Sequence, residues 1–589
     1  MGLGSVGKWV GISTLIGLAG GLAAVVFHWL TEFISAHTLR RAAGFAGEGL
    51  SVIDSRAWLV VAIPALGGLV VGLLIQGLAP EAEGHGTEQM IRVFHNLNGR
   101  VRKRVIALKA LTSAITIGTG GSAGQEGPVA QMGSGIGSTV ATSFKLSDRE
   151  RRIFLLSGSS AGIGALFTAP LGGALFAPEV LYRKAEFEGE AIIPCIISSI
   201  VAFATYTSIS GHSRAVEIDP GVLESLAFRD ARLLLLYVAL AFLCVPASWF
   251  YVRAFNKIGD FFRSIPKVPA AVRPALGGAS LGLLALALSP LAGEQGVLFG
   301  GYELMRASID GTLAVHVLLV LALAKIVATS LSIASGGSGG VFAPSLAIGA
   351  TLGAAVGQTA DALMPGLGIQ TASFALVGMG GFFAGVAKTP IAAIIIVSEM
   401  TGGYELLAPL MLVSVVHMML APRWSIYETQ VNGMIDSPAH MGEFVVDVLE
   451  QMKVHEVPET VARLHTVSEN ATLRKALDLV STTTGNYYPV LDANEKLVGV
   501  FSMSDIRRIF LETGIEDLVI VRDFMVDRVV TVTPDDDLNT ALSRMNEISI
   551  TEIPVVASED PGKVIGMLTR NQLGAVYHKR LRELRRAAS

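Results

Sequence analysis

Gly120-Gly121-Ser122-Ala123-Gly124-Gln125-Glu126-Gly127-Pro128 and Gly336-Gly337-Ser338-Gly339-Gly340-Val341-Phe342-Ala343-Pro344 are two copies of one frame, G-G-S-x-G-x-x-x-P. Each copy follows an apolar run and precedes another. Glycines at this density let backbone amides point at a ligand, and a helix beginning near each proline aims its positive end back at the loop. One copy carries a glutamate, Glu126, and the other a phenylalanine, Phe342, at the same position of the frame. A carboxylate among such amides in an apolar chain predicts an anion site with a charged gate.

Working outward, the surroundings are those of a membrane protein. The 589 residues are 51% hydrophobic and 16% charged, against roughly 25% charged in a soluble domain, and the mean hydropathy is +0.56. Sixty-five glycines fit close helix packing in lipid, where small residues let backbones approach. The net charge of −4 gives no argument for nucleic acid. Cys195 and Cys244 both lie in apolar runs and read as buried free thiols rather than a disulfide or metal site. The run from Trp9 to Leu30 is too long for the apolar core of a cleaved signal and reads as a first transmembrane helix.

Apolar runs continue to Leu420, among them Trp58–Leu78, Leu233–Tyr251 and Ala314–Ile333. Several others are too short to span, or are broken around Pro128, Pro170, Pro344 and Pro390. Broken helices are tolerated in a membrane where protein or a wet cavity satisfies the freed backbone, and they point to a transport site. The glycine frames are not the sole internal echo. Gly158 precedes Pro170 at the same separation as Gly378 precedes Pro390, and Pro170 precedes Glu179 at the same separation as Pro390 precedes Glu399. The spacing predicts a duplicated membrane half with the site between the copies.

After about Asp436 the chain turns mixed in charge. Residues 1–435 are expected to form the membrane domain and 436–446 a linker, followed by two α+β modules over 447–513 and 514–589. Thr466–Leu473 recurs as Thr531–Leu538, and each copy leads through a helical run to a Pro-Val strand start and a Gly-apolar-apolar-Ser/Thr segment.

Gly124-Gln125-Glu126-Gly127-Pro128 is similar to the G-[KR]-E-G-P motif of CLC chloride channels and transporters, and Gly340-Val341-Phe342-Ala343-Pro344 to the family's G-x-F-x-P motif. Gly84-His85-Gly86-Thr87-Glu88 stands where the family has G-S-G-I-P, and Tyr427 where it keeps a pore tyrosine. The tail resembles a tandem pair of CBS domains. The resemblance implies an all-α polytopic membrane domain of two inverted repeat halves, a cytoplasmic α+β CBS pair, and a homodimer with one anion pathway per subunit. It implies that Glu126 is the gate. Anion contacts would come from His85, Gly86, Gly124, Gln125, Gly127, Gly340, Val341, Phe342, Ala343 and Tyr427, with Tyr427 offering its hydroxyl. Oriented dipoles in place of full charges bind an anion weakly enough to release it. A tyrosine at the membrane interface is the competing reading of Tyr427.

Three departures from the family pattern bear on mechanism. His85 replaces a serine, so an imidazole N–H faces the anion or the ring turns away and leaves the backbone amide. Gln125 replaces a basic residue. Val180 occupies the position of the inner glutamate of proton-coupled members, and valine carries no proton. Glu179 beside it reads as a structurally paired acid.

In the tail, Gly499-Val500-Phe501-Ser502-Met503-Ser504-Asp505 matches the segment with which CBS pairs hold the ribose and phosphate of adenine nucleotides. Gly566-Met567-Leu568-Thr569-Arg570-Asn571-Gln572 has Gln572 at the acidic position. Ser502, Asp505 and Thr569 are thus candidates for ATP, ADP or AMP. No G-x-x-x-x-G-K-[ST] loop occurs, so ATP-driven pumping has no support. No cofactor, metal or enzymatic activity is expected. The expected function is a voltage-gated-type chloride channel of the plasma (inner) membrane. The alternatives are H+/Cl− exchange and transport of another anion such as fluoride.

Overall fold

The computed structural model describes residues 3–42, 57–211, 216, 218, 221–222, 226, 230–292, 296–440, 448–458, 464–483, 485–509 and 515–588. The chain divides into two compact units, Met1–Ala439 and His440–Ser589. Residues 441–446 of the expected linker, and the expected boundary between modules at 513–514, lie outside the described residues.

Among the described residues of the first unit six helices are long and apolar enough to cross a membrane: Gly7–Arg40, Leu59–Leu78, Gly189–Ser210, Leu233–Ser264, Ala270–Leu291 and Val315–Ala334. Between them sit the short helices that the prolines and glycines foretold. Helix Glu126–Ser143 in the first half corresponds to Phe342–Leu363 in the second, and Pro170–Glu179 corresponds to Pro390–Thr401. Gly120 and Gly336 end the preceding helices at φ 97° and 108°, a region that side chains resist and glycine enters freely.

The second unit holds two modules of one pattern. In the first, β1 (Val467–Ser468) pairs in parallel with β2 (Tyr487–Leu491), which runs antiparallel to β3 (Leu497–Ser502). In the second, β4 (Glu552–Val556) and β5 (Val564–Thr569) repeat the hairpin, while the counterpart of β1 shrinks to one parallel bridge, Val532 to Val555. The cause is one residue. Glu469 extends the first ladder by donating its N–H to Leu491 (2.9 Å), and its equivalent is Pro534, which has no N–H to donate.

Glycine-to-backbone contacts hold the membrane halves together. A Cβ on Gly133 would strike the Gly158 carbonyl, and one on Gly349 would strike that of Gly378, so the same pair of helices is closely packed in each half. The halves are then tied by a reciprocal exchange of carboxylates. Glu179 accepts from the N–H groups of Ile391 and Ala392 (3.0 and 2.7 Å) at the start of helix Pro390–Thr401. Glu399 accepts from those of Leu171 and Gly172 (3.2 and 2.8 Å) at the start of helix Pro170–Glu179. Such a reciprocal exchange between equivalent residues marks a pseudo-two-fold axis between the halves. Each carboxylate satisfies two of the amides that a helix start leaves without partners, and its charge suits the positive helix end. Glu179 is therefore a structural acid. An orphaned buried N–H costs about 1–3 kcal/mol, so Glu179→Ala and Glu399→Ala should each destabilise the membrane unit by about 2–4 kcal/mol. A lowered melting temperature in detergent checks this.

Candidate functional site

The two glycine frames meet face to face. Gly124 N–H donates to the Gly340 carbonyl (2.8 Å), and Gly340 N–H donates back to the Gly124 carbonyl (2.7 Å). These residues hold equivalent positions in the two copies. Their serines are anchored in matching ways: Ser122 N–H donates to the Ser332 hydroxyl (2.8 Å) and Ser338 N–H to that of Thr116 (3.4 Å). Helices Glu126–Ser143 and Phe342–Leu363 both start at this junction, so their positive ends converge on it.

Glu126 is 2% exposed. Its Oε1 accepts from the Tyr302 hydroxyl at 2.6 Å. Its buried Oε2 lies by the backbone amides of Glu126 and Ala343 without a full hydrogen bond. Its neighbours Gly124 and Gln125, together with Tyr302 and Arg40, line part of a cavity of 490 Å³. Gly86 packs on Gly127, where a Cβ would meet the Gly127 carbonyl.

On the far side of the junction a second cavity, of 360 Å³, is lined in part by Gly84, His85, Glu88, Arg92, Phe255 and Arg263. The two cavities share no lining residue. The His85 ring forms part of this wall, 5.5 Å from the ring of Tyr427 and 5.6 Å from that of Phe255, and its Nδ1 is buried without a hydrogen-bond partner. Tyr427 is 1% exposed, a buried residue rather than one at the surface, and its hydroxyl is within reach of Thr87. Phe342 packs against Phe167, Phe176 and Phe383 at 4.0–5.8 Å. Phe342, Val341 and Ala343 are all buried, with Val341 capping the start of the helix that Phe342 opens. Val180 is fully buried, and its carbonyl accepts from the Gln430 side chain (2.8 Å).

Four side chains that the sequence reading passed over complete the site. Tyr302 is the donor to Glu126. Lys325, fully buried, donates to the carbonyls of Val297, Leu298 and Phe299 (3.0, 3.2 and 2.7 Å). Three donated bonds require the three N–H groups of an ammonium. Lys109, its equivalent in the first half, donates to Ala82 and Gly84 (3.0 and 2.7 Å). The two lysines stand at matching distances before the glycine frames, within apolar helices, and that was a readable signal. Glu88 accepts from the Thr429 N–H (2.7 Å).

The family model "Voltage gated chloride channel" matches residues 67–421. The chain belongs to the CLC family. Models of the CBS domain match residues 444–512 and 521–573. Relatives include the "H(+)/Cl(-) exchange transporter ClcA" of Cronobacter sakazakii, 31% identical over 409 residues, covering 68% of this chain and 84% of that protein. The protein of the same name from Vibrio parahaemolyticus is also 31% identical, over 410 residues, with the same coverage. Among solved structures, a slow cyanobacterial Cl−/H+ antiporter aligns with a TM-score of 0.62 at 22% identity, over 70% of this chain and 94% of that one. A eukaryotic CLC transporter aligns with a TM-score of 0.58 at 21% identity, over 97% and 99%. The fold is that of the CLC family, and the family's activity is anion transport across membranes.

In the CBS pair of this CLC protein, Ser502 and Asp505 line a cavity of 90 Å³, well under the roughly 300 Å³ at which small-molecule pockets begin. Asp505 accepts from the N–H and hydroxyl of Ser502 (2.8 and 2.7 Å). Gln572 does the same for Thr569 (2.9 and 3.0 Å), and Thr569 does not line that cavity. The Asp-to-Gln departure thus preserves a local helix cap.

A hydrogen bond to a charged group contributes about 1.5–3 kcal/mol, or roughly one to two pH units. Tyr302→Phe removes one that favours the ionised form of Glu126. The pH midpoint of anion flux should therefore move up by about one unit or more, as read from flux into liposomes at stepped pH.

Proposed function

We propose that this CLC protein exchanges chloride for protons, with Glu126 as the group that serves both ions. The observation that carries the reading is the Glu126 carboxylate, itself an anion, lying by the amides of Glu126 and Ala343 and held by Tyr302, which with Gly124 and Gln125 lines a cavity. It occupies the place that an anion arriving from that cavity would take. Protonation removes its charge and its claim on those amides, so anion entry and proton uptake become one event. Exchange is preferred to the channel expected from the sequence because the relatives that match over most of their length are named exchange transporters.

The central anion would sit between the Tyr427 hydroxyl and the amides of Val341 and Phe342, with Gly340 and Ala343 on the same helix start. Gly86, Gly124 and Gly127 let the backbones close around it. His85 offers a ring N–H at the mouth of the second cavity, while Gln125 lines the mouth of the first. Lys109 and Lys325 add positive potential behind both loops.

Orientation follows from basic residues. Arg102, in the cluster Arg100–Arg104, pairs with Glu81, close in sequence to Glu83 on the His85-side cavity. Basic loops favour the cytoplasm, so that side is cytoplasmic. The last residue of the first unit, Ala439, accepts from Arg152 of a second basic cluster (3.1 Å), which supports a cytoplasmic CBS tail. We further propose a homodimer in the lipid bilayer of the plasma (inner) membrane. The CBS pair regulates it, binding adenine nucleotide at Ser502, Asp505 and the equivalent Thr569 once the closed cavity opens.

Channel conduction is the second reading, and the observation that favours it is Val180, buried where a proton carrier is otherwise expected. Purified protein in liposomes separates the two. Under exchange, an imposed chloride gradient drives protons uphill. Under conduction, chloride moves and pH stays fixed. Glu126→Ala should keep chloride flux while losing both proton movement and the pH dependence, monitored by chloride and pH electrodes together.

A further inference from the structure

We propose that Glu88 is the proton-carrying carboxylate of the His85-side cavity, doing there what Val180 cannot. The inference rests on the exchange reading. A proton that reaches Glu126 from one cavity must leave through the other, and Tyr427 packs on His85 of the second cavity while within electrostatic reach of Glu126. The route needs a titratable group at that end, within reach of both cavity water and Tyr427.

Glu88 meets those conditions. It lines the cavity. Its Oε1 is fixed by the Thr429 N–H at 2.7 Å, and the Thr429 hydroxyl donates to the Glu88 carbonyl at 3.2 Å, which clamps the residue to the segment that carries Tyr427. Its Oε2 is buried with no hydrogen-bond partner, leaving one oxygen free for a proton. Thr87, next in sequence, is within reach of the Tyr427 hydroxyl, and Glu88 and Glu126 both act electrostatically on that hydroxyl. Tyr427 is thus within electrostatic reach of both carboxylates.

The other acids nearby serve less well. Glu179 spends both oxygens on the amides of Ile391 and Ala392. Glu83 and Glu428 also line the cavity but are exposed. The charged or titratable groups around Glu88 are these two acids, Arg92, Arg263, His85 and Tyr427. Loading from the cavity breaks one O–H bond on a protonated water and forms one on a Glu88 oxygen, leaving neutral water. Onward transfer breaks that bond as the Tyr427 hydroxyl takes one proton and gives one toward Glu126, and the opposite direction runs the same steps backward. No redox partner is involved.

The test records chloride and proton flux together in liposomes for the full chain and its variants. Glu88→Gln keeps the acceptor for Thr429 and removes the titration. The expected result is loss of proton flux with chloride flux above the protein-free background. Glu88→Asp should restore part of the coupling, and Glu83→Gln and Glu428→Gln should retain it. Unchanged proton-to-chloride stoichiometry in Glu88→Gln overturns the role of Glu88 while leaving exchange intact. Loss of both fluxes in Glu88→Gln without recovery in Glu88→Asp also overturns it, as the mark of a merely structural residue. Absence of proton flux in the unaltered protein overturns the exchange reading and this inference together.

Discussion

Two backbone hydrogen bonds between Gly124 and Gly340 are the constraint on which the membrane unit turns. Backbone groups in a bilayer must find partners inside the protein, and here two irregular loops satisfy each other. The pairing is close because neither residue has a side chain: a Cβ on Gly340 would crowd the Gly127 N and the Gly124 carbonyl. It brings two helix starts to one point, puts the Glu126 carboxylate by the Ala343 amide, and separates the two cavities.

Around that point the repeat is symmetric in support and asymmetric in chemistry. Lys109 binds the carbonyls of Ala82 and Gly84, and Gly84 N–H donates to Gly337 (2.8 Å). Lys325 binds those of Val297 to Phe299, and Phe299 N–H donates to Gly120 (3.4 Å). One lysine therefore steadies the loop that presents His85, and its equivalent steadies the loop that presents Tyr302. The same scaffold delivers an imidazole to one cavity and a phenol to the other. Charges in a membrane protein are costly and tend to mark function. These two lysines are compensated by the peptide carbonyls they bind.

That arrangement recasts the difference between a channel and an exchanger. Both need the amides, and an exchanger adds a carboxylate able to compete for them and a route that hands its proton on. Val180 removes one point on the family's route. The helix that begins at Gly86 supplies an acid in another place, anchored to the segment that follows Tyr427.

The sequence by itself determined the duplicated frames, the broken helices at Pro128, Pro170, Pro344 and Pro390, the carboxylate that Glu126 sets in the first frame and the paired modules of the tail. These are legible because turn geometry, helix starts and apolar period are local properties of the chain. It also held the Lys109–Lys325 echo, readable from spacing alone. The ladder lost at Pro534 could be foreseen from one missing N–H. Only the tertiary structure decided that the equivalent glycines bind each other and that Tyr302, 176 residues from Glu126, donates to it. It alone placed Glu88 on Thr429, 341 residues away, and spent Glu179 and Glu399 on each other's helices. Such partners are chosen by how two halves dock, and the docking is fixed by contacts summed over the whole interface, which no local pattern encodes.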